Sequence, residues 1–247
     1  MDETQQKKRF SELAALSRRQ DRYYYTEFLT PAEAADACAA APAEECCAFG
    51  GTAECERVIV RYGDPERIGY EEPFPISVLK IEPLNSRFAE ELNHRDFLGA
   101  LMHLGLERDV FGDILVREKA AYVFAAERLA DYICGELTQV RHTMVKCSAL
   151  EEVPADARPS LAEEKIIVSS LRLDNVIAKV CHLSRTRAKE LFAAGSVQVG
   201  GRVCEKESFV PAAGDIISVR GYGKFRIEGE EGTTRKGSLL LRIGRYQ

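Results

Sequence analysis

Arg172-Leu173-Asp174-Asn175-Val176-Ile177-Ala178-Lys179-Val180 and, three residues later, Ser184-Arg185-Thr186-Arg187-Ala188-Lys189-Glu190-Leu191-Phe192-Ala193-Ala194-Gly195-Ser196-Val197-Gln198-Val199-Gly200-Gly201 form the stretch on which the fold turns. Val176, Ile177 and Val180 recur at helical spacing, so the first segment reads as a short helix opened by Arg172-Leu173-Asp174. Ser184 suits the N-cap of a second helix, where its hydroxyl accepts an amide that the helix leaves unpaired. In that helix Ala188, Leu191 and Phe192 repeat at i, i+3 and i+4, and Gly195 supplies the positive φ that ends it. Val197-Gln198-Val199 and Arg202-Val203-Cys204 flank Gly200-Gly201, the signal of a two-residue hairpin. Gly214-Asp215 then turns the chain into a last clear strand, residues 216–220.

Charge placement in this stretch runs against stability. Arg185 and Arg187 fall in the first turn of the second helix, where the macrodipole disfavours cations by roughly 0.3–1 kcal/mol each. Free helix-start amides beside arginines make a phosphate site, and Lys189 extends it along the same flank. Arg172 lies just ahead of the first helix. Arg220, Lys224 and Arg226 surround Gly221-Tyr222-Gly223, and all are expected to add to one basic surface.

The whole chain of 247 residues carries a net charge of −5, which by itself argues weakly against a polyanionic partner. Residues 170–247, however, hold 14 basic and 8 acidic side chains, while residues 1–169 hold 20 and 31. A basic module therefore follows an acidic body, an asymmetry that points to a polyanion. Apolar residues make up 45% and charged residues 30%, an ordinary globular composition. No apolar run approaches the ~18 residues of a membrane span, and the first thirty residues lack an apolar signal core. The expectation is a cytoplasmic protein with no membrane partner. Eight cysteines without a C-x-x-C pair, and four histidines without zinc spacing, predict reduced buried thiols and no metal site.

Upstream, residues 4–22 read as a helix with Phe10, Leu13 and Ala14 on one side and Lys7, Lys8, Arg18, Arg19 and Arg22 on the other. That basic stripe reads first as a solvated face. Thr30-Pro31 caps an Ala-rich helix that Pro42 ends, and residues 46–49 and 57–62 flank Gly50-Gly51 as a hairpin. Gly63-Asp64-Pro65, Pro73 and Pro75 place a boundary near residue 70. Strands at 76–81, 113–117, 121–124 and 143–148, with helices at 95–104 and 126–137, give the order βαββαβ of the ferredoxin-like fold. Its third strand, Lys119-Ala120-Ala121-Tyr122-Val123-Phe124, is a poor match to the stacking pattern of an RNA recognition motif. Residues 151–165, with Pro154 and Pro159, read as a linker. The predicted class is α+β: an N-terminal α/β region (1–70), a ferredoxin-like domain (71–150), the linker, and a small C-terminal domain (166–247).

Arg172-Leu173-Asp174, Ser184-Arg185 with Ala188 and Leu191, Gly195 to Val199, Gly201, and Gly214-Asp215 with Ile217 and Val219 closely resemble the S4-type RNA-binding domain. Gly200 departs from the asparagine common before the turn glycine, and both residues tolerate positive φ. His94-Arg95-Asp96-Phe97-Leu98-Gly99-Ala100-Leu101-Met102, Leu104-Gly105-Leu106 and Gly112-Asp113-Ile114 ahead of such a domain resemble the bacterial YlmH-like family. The resemblance implies binding to ribosomal RNA and tRNA on the large ribosomal subunit, in rescue or quality control of stalled translation. The RNA-contacting candidates are Arg172, Ser184, Arg185, Thr186, Arg187, Lys189, Arg202, Lys206, Arg220, Lys224 and Arg226.

His94-Arg95-Asp96 imitates a kinase catalytic loop but lacks the accompanying Gly-rich loop and Asp-Phe-Gly, and reads as a helix start. Gly112-Asp113 reads as a turn. No cofactor motif is present, so no cofactor, no small-molecule substrate and no catalysis are expected. An RNA-modifying enzyme, such as a pseudouridine synthase that docks through the S4-type domain, is the alternative.

Overall fold

Thr30-Pro31 starts its helix as the sequence requires. Thr30 Oγ1 accepts from the Glu33 amide at 3.4 Å, and Glu33 Oε2 accepts from the Thr30 amide at 2.8 Å, a reciprocal capping box. The computed structural model describes residues 3–87, 89–155, 157–158, 161–234 and 237–246. Its contacts divide the chain into two units, Met1–Arg158 and Pro159–Gln247. Among the described residues no helix is long and apolar enough to cross a membrane.

The first unit opens with α1 (Glu3–Gln20), β1 (Tyr24–Tyr25) and α2 (Pro31–Cys38), the last ending four residues before Pro42. Strands β2 (Cys46–Phe49) and β3 (Ile59–Tyr62) make the expected hairpin, and β1 pairs with the other edge of β3. Both helices cover one face of this sheet through Phe10, Ala14, Ala34, Ala37, Val60 and Tyr62. A single turn, α3 (Pro65–Ile68), is capped by Asp64.

Next come β4 (Ile76–Pro83), α4 (His94–His103), β5 (Phe111–Arg117), β6 (Ala120–Ala126), α5 (Ala130–Glu136), β7 (Gln139–Val140) and β8 (Thr143–Leu150). The sheet order is β5-β6-β4-β8-β7 with every neighbour antiparallel, the ferredoxin-like arrangement plus one short edge strand. Alternation splits each strand between two cores. Leu79, Ile81, Val123 and Val145 meet Phe97 and Leu101 of α4 and Ile133 of α5. On the opposite face Val78, Tyr122 and Phe124 meet Phe28 and Ile59 from the N-terminal part and Val153 and Ala157 from the segment after β8. The expected boundary near residue 70 therefore falls between two sheets that share a core, inside one unit. A side chain at Gly51, whose φ is +109°, would overlap the Phe124 ring.

Gly112-Asp113 is a correction: both residues lie in β5, where the pairing with β6 slips between Phe111 and Ile114. The bulge kinks the strand locally, without the chain reversal that the expected turn would bring.

The second unit runs β9 (Leu161–Val168), α6 (Leu173–Val180), α7 (Arg185–Ala193), β10 (Val197–Val199), β11 (Arg202–Val203), β12 (Ile216–Val219), β13 (Gly223–Thr233) and β14 (Leu239–Tyr246). Its sheet order is β11-β10-β12-β13-β14-β9, antiparallel throughout. Leu161 to Lys165, expected in the linker, form the first part of β9. Residues 216–220 do not end the sheet, because β13 and β14 extend it. One face packs Val197, Ile217, Val219, Phe225, Ile227, Leu241 and Ile243 against Val176, Ile177, Val180, Ala188, Leu191 and Phe192 of the two helices. Gly200 and Gly201 have φ of +55° and +77°, the two positive values that a type I′ hairpin needs.

All eight cysteines are free thiols, but only Cys147 is buried; Cys47 is exposed and six are half-buried. The expectation of buried thiols thus holds for one of them.

Candidate nucleic-acid interface

The helix pair of the second unit is built around one buried carboxylate. Asp174 is fully buried. Its Oδ1 accepts from Arg172 Nε at 3.0 Å and from the Asn175 amide at 3.0 Å. Its Oδ2 accepts from Arg172 Nη2 at 3.2 Å and from Arg185 Nη2 at 3.4 Å. Burial works to raise its pKa, but the hydrogen bonds and charges of Arg172 and then Arg185 outweigh it and leave the pKa below the usual carboxylate value. One acid thus fixes two arginines from the starts of two helices while their outer N–H groups face solvent, Arg185 being 59% exposed.

The start of α6 is spent on structure: the Leu173 and Asp174 amides donate to the Phe209 and Glu207 carbonyls at 2.8 and 3.1 Å. The start of α7 is open. Ser184 Oγ accepts from the Arg187 amide at 3.2 Å, and the exposed Arg185, Thr186, Arg187 and Lys189 surround that cap. Arg187 Nη1 lies 2.5 Å from Glu190 Oε2 and Lys189 Nζ lies 2.9 Å from Glu207 Oε1. Glu207 also reaches Arg172 at 3.9 Å. These surface pairs soften the dipole penalty of cations at a helix start. Each contributes little on its own, so the cations remain available to a stronger anion.

Other candidates sit elsewhere. Phe225 and Ile227 point into the core, so Lys224 and Arg226, which alternate with them, lie on the opposite face of the sheet from the helices. There Lys224 lies 5.7 Å from the Tyr246 ring centroid, its pKa lowered by burial, and Arg226 pairs with Glu228 at 2.8 Å. Arg202 and Lys206 are exposed on β11 and on the loop after it, and Arg220 is exposed at the end of β12. The expected single basic surface is thus divided between two faces of one sheet. In the first unit the basic stripe of α1 is largely matched by acids: Lys7 with Glu3 and Asp36, Lys8 with Glu12, Arg18 with Glu45.

The sheet of the middle region offers no stacking platform, since Tyr122 and Phe124 are buried under the N-terminal part and residues 153 and 157. Asp113 is also structural, its carboxylate accepting from the Glu56 and Arg57 amides at 2.7 and 3.1 Å while burial raises its pKa. His94 opens α4 behind an Asn93–Asp96 capping box, as expected of a helix start. Among the described residues no group of His, Cys, Asp and Glu is placed to hold a metal ion.

Residues 70–154 match the family model described as "Putative RNA-binding domain in YlmH", and residues 171–217 match the S4 domain. The chain is 34% identical over 239 residues to the ribosome-associated protein quality control protein P2 of Bacillus subtilis (strain 168), covering 92% of this chain and 89% of that protein. The chain belongs to the YlmH-like family of S4-domain RNA-binding proteins. A solved structure of the cell division protein YlmH from Streptococcus pneumoniae is 23% identical, with a TM-score of 0.48 over 60% of this chain and 90% of that one.

Within this member of the family, sequence reasoning missed two parts of the α6–α7 surface. Asp174 reads locally only as part of a helix opening, although an arginine two positions before a buried acid is a visible pairing. Glu207 carries no local signal, because it reaches Arg172 and Lys189 only through the fold.

Asp174 gives a stability prediction with a sign. A carboxylate with a lowered folded pKa contributes stability that is present above the unfolded value near ~3.9 and is lost as pH falls through the folded value. Asp174→Asn is expected to lower the stability of the S4 unit at pH 7 by about 1–3 kcal/mol, a discounted figure because Arg172 and Arg185 can rehydrate. Urea titrations at pH 7 and pH 3 should show the gap to wild type closing at low pH. A gap independent of pH contradicts this account of Asp174.

Proposed function

We propose that this chain is a cytoplasmic, ribosome-associated RNA-binding factor that acts in rescue or quality control of stalled translation without catalysing a reaction of its own. Its S4 unit grips ribosomal RNA, and the bound RNA site includes tRNA on the large ribosomal subunit. The observation that carries the reading is the open start of α7, where Arg185, Arg187 and Lys189 surround the Ser184 cap and Asp174 holds Arg185 and Arg172 in place. A helix start with fixed arginines presents backbone and side-chain donors to one phosphate at a time. The relative's role in ribosome-associated quality control supports the cellular setting. Arg202, Lys206 and Arg220 extend the contact on the exposed rim of the same unit. Lys224 and Arg226, on the far sheet face, belong to a second contact or to none.

The test is co-sedimentation of the full chain with purified large subunits, followed by sequencing of crosslinked RNA. Crosslinks in ribosomal RNA and tRNA are expected, with Arg185 or Arg187 among the crosslinked residues. Affinity should fall with salt, log K changing by about 0.7–0.9 per phosphate contacted for each decade of salt. Salt-independent association, or crosslinks to ribosomal proteins alone, contradicts the proposal.

A further inference from the structure

Tyr222 is left unused by the phosphate contacts, and its setting is that of a stacking residue. It sits at the tip of the turn between β12 and β13, where its amide donates to the Val219 carbonyl at 2.9 Å. Gly221 and Gly223 flank it with φ of +84° and +100°, and a Cβ at either would meet nothing within 4 Å. Open space therefore lies on both sides of the ring's attachment point. In the same unit Phe192 and Phe225 are buried and Phe209 and Tyr246 half-buried, whereas Tyr222 is 38% exposed. Its hydroxyl lies near Arg187, whose pKa is raised first by Glu190 and then by this hydroxyl, so the ring borders the cationic start of α7. The neighbouring Arg220 is exposed, and its amide donates to the Ser196 carbonyl at 2.9 Å.

An exposed ring beside phosphate-binding cations differs from a purely cationic surface in what it selects. Cations alone read the backbone of any duplex. Bases inside an A-form helix present no face to a side chain, whereas a base out of its stack does, and aromatic stacking accepts any base. We infer that Tyr222 stacks on an unpaired base, so that the α7 surface prefers RNA carrying a bulged or looped-out nucleotide over an uninterrupted duplex. The inference rests on the RNA-binding reading above and refines the partner. The stacking itself needs only the ring.

The full chain would be titrated against two RNA hairpins of identical stem, one continuous and one carrying a single bulged 2-aminopurine. Wild type should bind the bulged hairpin roughly tenfold more tightly and quench the 2-aminopurine fluorescence. Tyr222→Phe should keep both properties. Tyr222→Leu should lose the preference and the quenching while its thermal unfolding midpoint and its affinity for the continuous hairpin stay unchanged. Equal binding of both hairpins by wild type, or a preference retained by Tyr222→Leu, overturns the inference and leaves phosphate binding standing. Failure of wild type to bind either hairpin at low salt overturns the RNA-binding reading itself.

Discussion

Arg185→Glu is expected to lower RNA affinity by on the order of 10- to 100-fold while the S4 unit stays folded. The loss follows from one charge-assisted hydrogen bond to phosphate, worth about 1.5–3 kcal/mol, and the reversed charge adds repulsion from the RNA backbone. Folding should persist because Arg185 is 59% exposed and makes a single 3.4 Å contact to Asp174, whose shorter bonds come from Arg172 and from the Asn175 amide. Arg185→Lys is the informative companion. It keeps the charge but loses the planar fork that spans Asp174 and a phosphate together, so it should fall between wild type and Arg185→Glu. Filter binding at two salt concentrations would give both the affinity and the salt slope, and the slope should drop by about one phosphate equivalent. A folded Arg185→Glu variant with undiminished affinity would remove α7 from the interface.

The second large effect concerns the first unit. Phe124→Ala is expected to destabilise it by about 3–5 kcal/mol, a large share of the roughly 5–15 kcal/mol that a whole domain possesses. Phe124 is fully buried on the sheet face that meets Phe28 and Ile59, and a side chain at Gly51 or Gly112 would strike its ring or Cβ. Removing the ring leaves a cavity where the N-terminal sheet and the ferredoxin-like sheet share a core, and both glycines are too small to fill it. Urea unfolding followed by circular dichroism should show an earlier transition for this unit. The transition of the S4 unit and its RNA affinity should hold, since the two are separate compact units. An unchanged midpoint would mean that this face contributes little to stability.

Phe124 also shows why a strand can be read correctly and its role misjudged. Lys119 to Phe124 was legible as a strand because its residues favour a pleated surface, and its poor match to an RNA recognition motif was legible too. The reason for that mismatch was not: Tyr122 and Phe124 face a second core supplied by Phe28 and Ile59 from the N-terminal part and by Val153 and Ala157 from beyond β8. Similar logic applies to Gly112-Asp113. A glycine followed by an aspartate carries a turn signal, yet the Asp113 carboxylate is satisfied by the Glu56 and Arg57 amides, and that long-range partnership keeps the pair in a bulged strand. In the S4 unit, β13 escaped notice because Gly229 and Gly232, with φ of +150° and +148°, interrupt its alternation at two bulges among Glu228, Glu230 and Glu231. The start of β9 escaped because Glu163, Glu164 and Lys165 read as a solvated linker, although Glu164 pairs with Arg245 of β14 at 3.1 Å.

By itself the sequence determined what is local. Helix caps at Thr30 and Ser184, the Gly200-Gly201 hairpin, the βαββαβ order and the basic start of α7 depend on residues within a few positions of one another, where backbone propensity and periodicity act. Tertiary structure decided which of those features are free to meet a partner. It buried Asp174 beneath Arg172 and Arg185, sealed the sheet face around Phe124, divided Lys224 and Arg226 from the helix-face cations, and set Tyr222 beside Arg187. Burial, and pairing between distant residues such as Asp113 with Arg57 or Glu164 with Arg245, depend on the packed arrangement, which no short window of the sequence contains.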